Sequence, residues 1–158
     1  MRVWRERTRP SGRCFLPGHH PAEAVPEKAA VTDTHPLLFF AAGGKRLGRR
    51  ASAFFNACER QEAILYVPAV VVWETTLLAK VGRIDLGRSV RAFFEDLFAN
   101  PAYQPLDLDP EQVYCAAEKR PNEDPFDALV CAAAIQLGLP LVTRDSTITA
   151  WGVVQTVW

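Results

Sequence analysis

Residues 63–80 have the sequence AILYVPAVVVWETTLLAK, in which a short apolar strand runs directly into a helix. The four apolar residues Ile64–Val67 match the length of a buried strand. Pro68 is tolerated at the start of the helix, because the N–H that proline lacks has no partner there. The helix is expected to continue to Lys80 and to stop at Gly82. A strand followed closely by a helix is the repeating unit of α/β folds.

The same alternation extends in both directions from this stretch. Further strands are predicted at residues 30–32, 103–108, 140–143 and 153–157. Further helices are predicted at residues 36–42, 45–60, 89–100, 109–119 and 124–137. Short apolar strands alternating with amphipathic helices predict a parallel sheet covered by helices on both faces. In such sheets, ligands bind at the carboxyl ends of the strands.

The composition is that of one globular domain. The chain has 158 residues, of which 49% are hydrophobic and 23% are charged, and this balance excludes a wholly disordered chain. The longest apolar run, Ala63–Trp73, is well short of the roughly 20 residues that a membrane-spanning helix needs. The cysteines have no zinc-like spacing, which favours reduced, buried thiols and a cytoplasmic location. They are Cys14, Cys58, Cys115 and Cys131.

Residues 1–28 differ from the rest of the chain. They contain four prolines, scattered arginines and no apolar periodicity, so we expect a disordered tail in front of one domain spanning residues 29–158. We also consider that this tail is an over-extended start and that Val25 or Val31 begins the native protein. The formal net charge of the whole chain is zero, and the mildly acidic domain is not typical of proteins that bind nucleic acid by charge alone.

Two candidate site acids follow predicted strands. Asp33 comes directly after the strand at residues 30–32, and Asp145 comes two residues after Thr143 in the fourth strand. Both side chains are therefore expected near the ligand-binding edge of the sheet. Each also has a purely structural interpretation, Asp33 as a helix N-cap and Asp145 as a turn residue.

Two further acids lie on the predicted buried faces of helices. Glu74 is three and four residues from valines before it and from leucines after it, and Asp127 shares a face with Val130 and Cys131. A buried carboxylate is costly unless it is paired, protonated or bound to a cation. The structural alternatives are an ion pair with a distant arginine or lysine for Glu74, and a capping role with Asp124 for Asp127.

If these four acids converge, they cannot all stay ionised without positive charge nearby. Oxygen ligands select hard divalent cations such as Mg²⁺ or Mn²⁺, and a carboxylate cluster holding such ions is suited to phosphodiester hydrolysis. The sequence has no phosphate-binding glycine loop, dinucleotide fingerprint or nucleophile elbow. His35 is the only histidine outside residues 1–28, which excludes a histidine-rich metal site.

The order of these motifs resembles the PIN-domain proteins, in particular the VapC-type toxin ribonucleases of toxin–antitoxin pairs. The resemblance rests on DTH at residues 33–35, Glu74 in an apolar helix, DPFDALV at residues 124–130 and TRD at residues 143–145. It covers about residues 29–158. It implies an α/β fold, a three-layer α/β/α sandwich with a short parallel sheet. It also implies an Mg²⁺- or Mn²⁺-dependent endoribonuclease that acts on single-stranded RNA, as a homodimer with a small antitoxin partner.

The resemblance also assigns roles to individual residues. The metal-binding and catalytic acids would be Asp33, Glu74, Asp127 and Asp145. Thr143 matches a hydroxyl position that supports the site, and we expect further support from Thr34 and Asp124. For RNA binding, the candidate cations are Lys45, Arg46, Arg49 and Arg144, whose structural alternative is an ordinary solvated surface.

A rival interpretation is a PIN-like binding or scaffold module without catalysis. In that protein the acids would serve as helix caps and members of structural ion pairs. A metal-dependent phosphatase is a weaker alternative, because the sequence lacks the Asp-x-Asp nucleophile pair expected of one. Stabilisation by Mn²⁺ would distinguish a metal-dependent nuclease from a scaffold, because a ligand that binds the folded state stabilises it.

Overall fold

A computed structural model describes residues 28–158, and apart from Lys28 the predicted tail lies outside them. The strands are β1 (Ala29–Thr32), β2 (Ile64–Pro68), β3 (Tyr103–Leu106), β4 (Leu141–Val142) and β5 (Thr156–Val157). The helices are α1 (Thr34–Ala41), α2 (Arg49–Glu59), α3 (Ala69–Lys80), α4 (Val90–Phe98), α5 (Pro110–Glu118), α6 (Pro125–Leu137) and α7 (Ser146–Trp151). The predicted alternation of strands and helices is confirmed.

The five strands form one parallel sheet in the order β3-β2-β1-β4-β5. The chain builds outward from β1 to β3, then returns to place β4 on the other side of β1. Val31 is paired with Leu141 and Thr32 with Val142, so β1 and β4 end side by side. The strand order reverses between these two strands, which is the position where open α/β sheets bind ligands.

Helices cover this sheet, and the predicted three-layer α/β/α architecture is confirmed. α6 contacts β1 and β4, α2 and α3 contact β2, and α4 contacts β3. The core lies on the central strands, where Val31, Leu65, Val67 and Leu141 are completely buried. The sheet is therefore apolar through its middle and becomes polar at the carboxyl ends of β1 and β4.

Helix α6 is held close to the sheet by a run of small side chains, Cys131–Ala134, which is almost completely buried. Small side chains allow close packing of the helix against its neighbours, and α6 contacts α3 and α5 as well as the sheet. Asp127 lies one turn before Cys131. The packing therefore brings the first turn of α6 toward the carboxyl end of β1.

The boundaries of several helices differ from the predicted ones. α1 begins at Thr34 rather than at residue 36, because Asp33 caps it. α2 begins at Arg49 rather than at residue 45. Gly48 is its N-cap, and a Cβ added there would lie 2.6 Å from the backbone carbonyl carbon of Trp158, so this close approach requires glycine. α7 was not predicted, and the turn interpretation was given only to Asp145, which is its N-cap.

The three described cysteines, Cys58, Cys115 and Cys131, are buried thiols, as predicted, and Cys14 lies outside the described residues. Burial raises the pKa of the Cys58 and Cys131 thiols to about 12, so both stay protonated at neutral pH. Among residues 28–158, no helix has the length and apolar character needed to cross a membrane.

Candidate active site

Asp33 is the most constrained of the candidate acids. It follows β1 and is the N-cap of α1, where its Oδ1 accepts a hydrogen bond of 2.6 Å from the backbone N–H of Thr34. Its Oδ2 accepts a second bond of 2.8 Å from the hydroxyl of Thr143. The residue is only 7% exposed. The capping interpretation is thus correct, but it accounts for only one of the two carboxylate oxygens.

Thr143 joins the ends of two strands. It lies just beyond β4, is completely buried, and its Oγ1 accepts a bond of 3.0 Å from the backbone N–H of Asp145 while donating to Asp33. Asp145 is half-buried and caps α7, because its Oδ1 accepts a bond of 2.9 Å from the N–H of Ile148. The two strand-ending acids are therefore linked through one hydroxyl.

Glu74 reaches the same edge from α3. It is half-buried, and its Oε2 accepts a hydrogen bond of 2.5 Å from the hydroxyl of Thr34. Thr34 is completely buried and follows Asp33 in the chain. The partner of Glu74 is thus a hydroxyl inside the site rather than the distant lysine or arginine that the structural alternative required.

Asp127 reaches the site from the first turn of α6. Its Oδ2 accepts a bond of 2.7 Å from the side-chain amide of Asn122. Asp124 is the N-cap of this helix and accepts a bond from the N–H of Phe126, while its own N–H bonds to Asn122 Oδ1. In a capping box, Asp127 would accept that N–H. Asn122 takes that place, so Asp127 is available to the site.

The charges of neighbouring acids contribute to the pKa values of Asp33 and Asp127. Burial raises the pKa of Asp33, the bonds from Thr143 and Thr34 and the charge of His35 lower it, and the charge of Glu74 has a smaller raising effect. Burial also raises the pKa of Asp127, with the charges of Asp33, Asp124 and Asp145 adding to the effect and the bond from Asn122 opposing it. Asp33 and Asp127 are therefore costlier to ionise because other acids lie nearby.

Cys131 lies beneath this cluster, one helical turn after Asp127. Its raised pKa is caused first by burial and then by the charges of Asp127, Asp33 and Asp145. Three of the four predicted acids thus act on one buried thiol, which places them around the same part of α6. The thiol stays neutral, so the donors of the site are oxygens.

The donor chemistry fits a hard divalent cation, since carboxylate and hydroxyl oxygens are the ligands that Mg²⁺ and Mn²⁺ prefer. A cation would also relieve the mutual repulsion that raises the pKa values of Asp33 and Asp127. Within residues 28–158, however, no group of three or more histidine, cysteine, aspartate or glutamate side chains is arranged to hold a metal ion. The charges of these acids affect the pKa values of Asp33 and Asp127, but the side chains do not form a closed set of metal ligands.

Two of the predicted RNA-binding cations lie over a common aromatic ring. The guanidinium carbon of Arg46 is 4.1 Å from the ring centre of Phe39, and that of Arg144 is 5.4 Å from the same centre. Lys45 and Arg49 are exposed on the neighbouring turn and at the start of α2. Sequence reasoning missed the roles of Phe39 and Asn122. The only signal for Asn122 was its position two residues before a capping aspartate.

The amino-acid sequence of residues 30–151 matches the family described as PIN domain. The chain belongs to the PIN domain family. PIN domains are in general nucleases that use divalent metal ions. Membership therefore agrees with the carboxylate-rich edge at β1 and β4.

Solved structures similar to this PIN domain include complexes of toxins with antitoxins. VapBC2 from Rickettsia felis, bound to a DNA fragment from its promoter, has a TM-score of 0.59 at 11% identity, covering 81% of this chain and 96% of that one. A toxin–antitoxin complex from Klebsiella pneumoniae has a TM-score of 0.55 at 18% identity, covering 79% and 94%. FitAcB from Neisseria gonorrhoeae has a TM-score of 0.55 at 19% identity, covering 80% and 95%. At these identities the likeness concerns the fold. Comparison with the curated proteins finds none that matches this chain.

Proposed function

We propose that this PIN domain is the toxin of a toxin–antitoxin pair and an Mg²⁺- or Mn²⁺-dependent endoribonuclease of single-stranded RNA. The observation that carries the proposal is the convergence of acids from four elements on the edge where the strand order reverses. The pKa of Asp127 responds to the charges of both strand-ending acids, Asp33 and Asp145, and the pKa of Asp33 responds to Glu74. A cluster of carboxylates repels a polyanionic substrate unless bound cations neutralise it. This arrangement therefore favours a cation-dependent site.

In this proposal Asp33, Glu74, Asp127 and Asp145 would hold the ion or ions. When bound, a divalent ion supplies activation of water and neutralisation of charge on the phosphate. The remaining side chains fix the acids in place. Thr143 positions Asp33, Thr34 positions Glu74, and Asn122 positions Asp127. Asp124 supports the site indirectly, because it caps the helix that carries Asp127.

The proposed protein partner is a small antitoxin, as in the complexes whose fold this chain shares. A groove of about 770 Å³ is lined by His35, two residues after Asp33, by apolar side chains such as Phe40 and Phe93, and by charged ones such as Arg83. An antitoxin segment in this groove would contact His35, which follows Thr34 and Asp33 in the chain. We further propose a homodimer and a cytoplasmic location, where buried thiols stay reduced.

Cleavage of a mixed pool of single-stranded RNA tests the proposal. We expect cutting with Mg²⁺ or Mn²⁺, no cutting in EDTA, and no cutting by Asp127→Asn. Glu111→Gln is the matched control, because Glu111 is also an acid in the first turn of a helix but lies on the exposed surface of α5. An Asp127→Asn variant that cuts as well as Glu111→Gln would contradict the role of Asp127.

A scaffold without catalysis is the second candidate, and one observation favours it. Asp33, Asp124 and Asp145 all cap helices, which is the structural role that the scaffold interpretation predicts. Thermal unfolding with Mn²⁺ separates the two. For a metal-binding nuclease, Mn²⁺ at about one hundred times its Kd should stabilise the fold by about 2.7 kcal/mol. Asp127→Asn should lose this gain, and Glu111→Gln should keep it. An unchanged Tm in the wild type would favour the scaffold.

A further inference from the structure

Arg46 and Arg144 differ from most of the described arginines in how they are held. Four others form ion pairs with carboxylates, namely Arg60, Arg88, Arg91 and Arg120. Of these four ion-paired arginines, Arg88 also lies over a ring, that of Phe93. Arg46 and Arg144 lie over the ring of Phe39, with their guanidinium carbons 4.1 and 5.4 Å from its centre. Both side chains are oriented by an aromatic ring, which places them without neutralising their charge.

The ring that holds them is fixed next to the acid cluster. Phe39 is 8% exposed on α1, the helix that Asp33 caps, and lies one turn after His35, with 6.1 Å between ring centres. Trp158 packs against it edge-on at 6.4 Å. Arg144 also stands in the chain directly between Thr143 and Asp145. Both arginines are therefore anchored at the rim of the proposed catalytic edge.

A guanidinium that lies over an aromatic face keeps its N–H donors for other partners, because those donors project in its own plane. Arg46 and Arg144 are also exposed. Guanidinium groups bind phosphate through two parallel hydrogen bonds, which makes arginine well suited to this ligand. Two such groups on one ring repel each other, and this repulsion is relieved by a ligand that carries closely spaced negative charges. The backbone of a nucleic-acid strand is such a ligand.

We propose that Arg46 and Arg144 form a phosphate-binding pair that holds the RNA strand next to the scissile phosphate, with Phe39 as the residue that positions both. This inference rests on the proposed function, in which the acid cluster cuts single-stranded RNA. The ligand is the phosphodiester backbone. The pair therefore contributes to affinity and register and carries no base specificity.

Binding of a short, labelled single-stranded RNA in EDTA tests the pair without cleavage. The logarithm of the binding constant falls linearly with the logarithm of the salt concentration, with a slope of about −0.7 for each phosphate neutralised on a single strand. Arg46→Ala and Arg144→Ala should each make the slope shallower by about 0.7. Arg91→Ala is the matched control, because Arg91 is exposed but paired with Glu95 on α4.

Phe39→Leu tests the positioning role, since it retains an apolar side chain and removes the aromatic face. It should raise the Kd for the RNA while thermal unfolding stays cooperative, and Phe39→Tyr, which restores a ring, should recover the binding. Unchanged salt slopes in both arginine variants would overturn the pair. The same variants are also measured with duplex DNA. A loss of affinity for the DNA without a loss for the RNA would overturn the pair as well.

The outcomes also separate this inference from the proposed function. If the wild type binds RNA with these slopes and cuts none in the cleavage assay, the pair is supported and the nuclease proposal fails. If the wild type cuts RNA and both arginine variants bind it as the wild type does, the nuclease stands and the pair is wrong.

Discussion

Asp33 and Asp145 occupy equivalent positions at the ends of two neighbouring strands, but they differ in burial and in hydrogen bonding. Each follows one of the two strands at which the sheet order reverses, and each caps the helix that comes next. Asp33 is buried and uses both oxygens, one for the cap and one for Thr143, whereas Asp145 is half-buried and uses one oxygen for its cap. The same local motif thus gives a rigid, desolvated carboxylate at one strand end and a more open one at the other.

This difference shows what converts a helix cap into a candidate catalytic group. The cap bond alone is a local feature that any strand-to-helix turn can supply. The second bond to Asp33 comes from a different strand, and burial makes its charge costly, so its pKa is raised. We therefore expect Asp33 to matter more for catalysis and Asp145 to matter more for local stability.

The largest expected effect is on cleavage. Asp33→Asn should lower kcat/KM by at least about a hundredfold, the usual cost of removing one preorganised charged group. Asn keeps the acceptor for the N–H of Thr34 and places an amide NH2 toward the oxygen of Thr143, so the fold should persist in near-ultraviolet circular dichroism. Asp145→Asn should have a smaller effect, since that side chain is less constrained. Equal losses of kcat/KM in Asp33→Asn and Asp145→Asn would show that the more buried acid is not the more important one for catalysis.

The next effect is on the pH dependence of stability in the metal-free protein. The pKa of Asp33 in the folded state lies above its ordinary value of 3.8, so the folded state binds this proton more tightly than the unfolded state does. The contribution of Asp33 to stability is therefore lost as the pH rises from about 3.8 through the raised pKa.

Urea unfolding in EDTA at a series of pH values would measure this effect. The difference between the free energy of unfolding of Asp33→Asn and that of the wild type should shift in favour of the variant as the pH rises. A constant difference between the two proteins over that range would show that burial does not penalise the charge of Asp33.

The smallest effect concerns the cap at Asp145. Asp145→Ala removes the bond to the N–H of Ile148 and should destabilise the fold by about 1 kcal/mol, whereas Asp145→Asn keeps an acceptor and should cost less. Ser89→Ala is a reference for an ordinary cap, because Ser89 accepts a bond from the N–H of Ala92 at the start of α4. If Asp145→Ala is as stable as Asp145→Asn, the cap of α7 contributes nothing.

The sequence was sufficient for the elements and for the residue types of the site. Apolar periodicity and capping residues predicted every strand and all the helices except α7. That helix has only six residues, and β-branched side chains at Thr147, Ile148 and Thr149 disfavour helices intrinsically. The four acids and Thr143 were all singled out, and the structure brings them to one region. Their roles as metal ligands and catalysts stay predictions.

The contacts that the sequence could not supply are those between distant or irregular segments. The position of Arg144 over Phe39 depends on how β4 and α1 meet at the sheet edge, which periodicity does not encode. Asn122 lies in a loop with no repeating pattern, and its position two residues before a capping aspartate did not indicate a bond to Asp127. The strand order itself, and with it the pairing of β1 with β4, was also beyond the sequence pattern.

That pairing has a consequence for the time at which the site comes into existence. The bond from Thr143 to Asp33 joins residues 110 positions apart. A ribosome adds about 5–20 residues per second, so about 5 to 20 s pass between the synthesis of the two residues. Throughout this interval β1 can pair with β2 but not with β4, and Asp33 has no partner hydroxyl. Chains whose synthesis stops anywhere before Thr143 therefore never assemble the acid cluster.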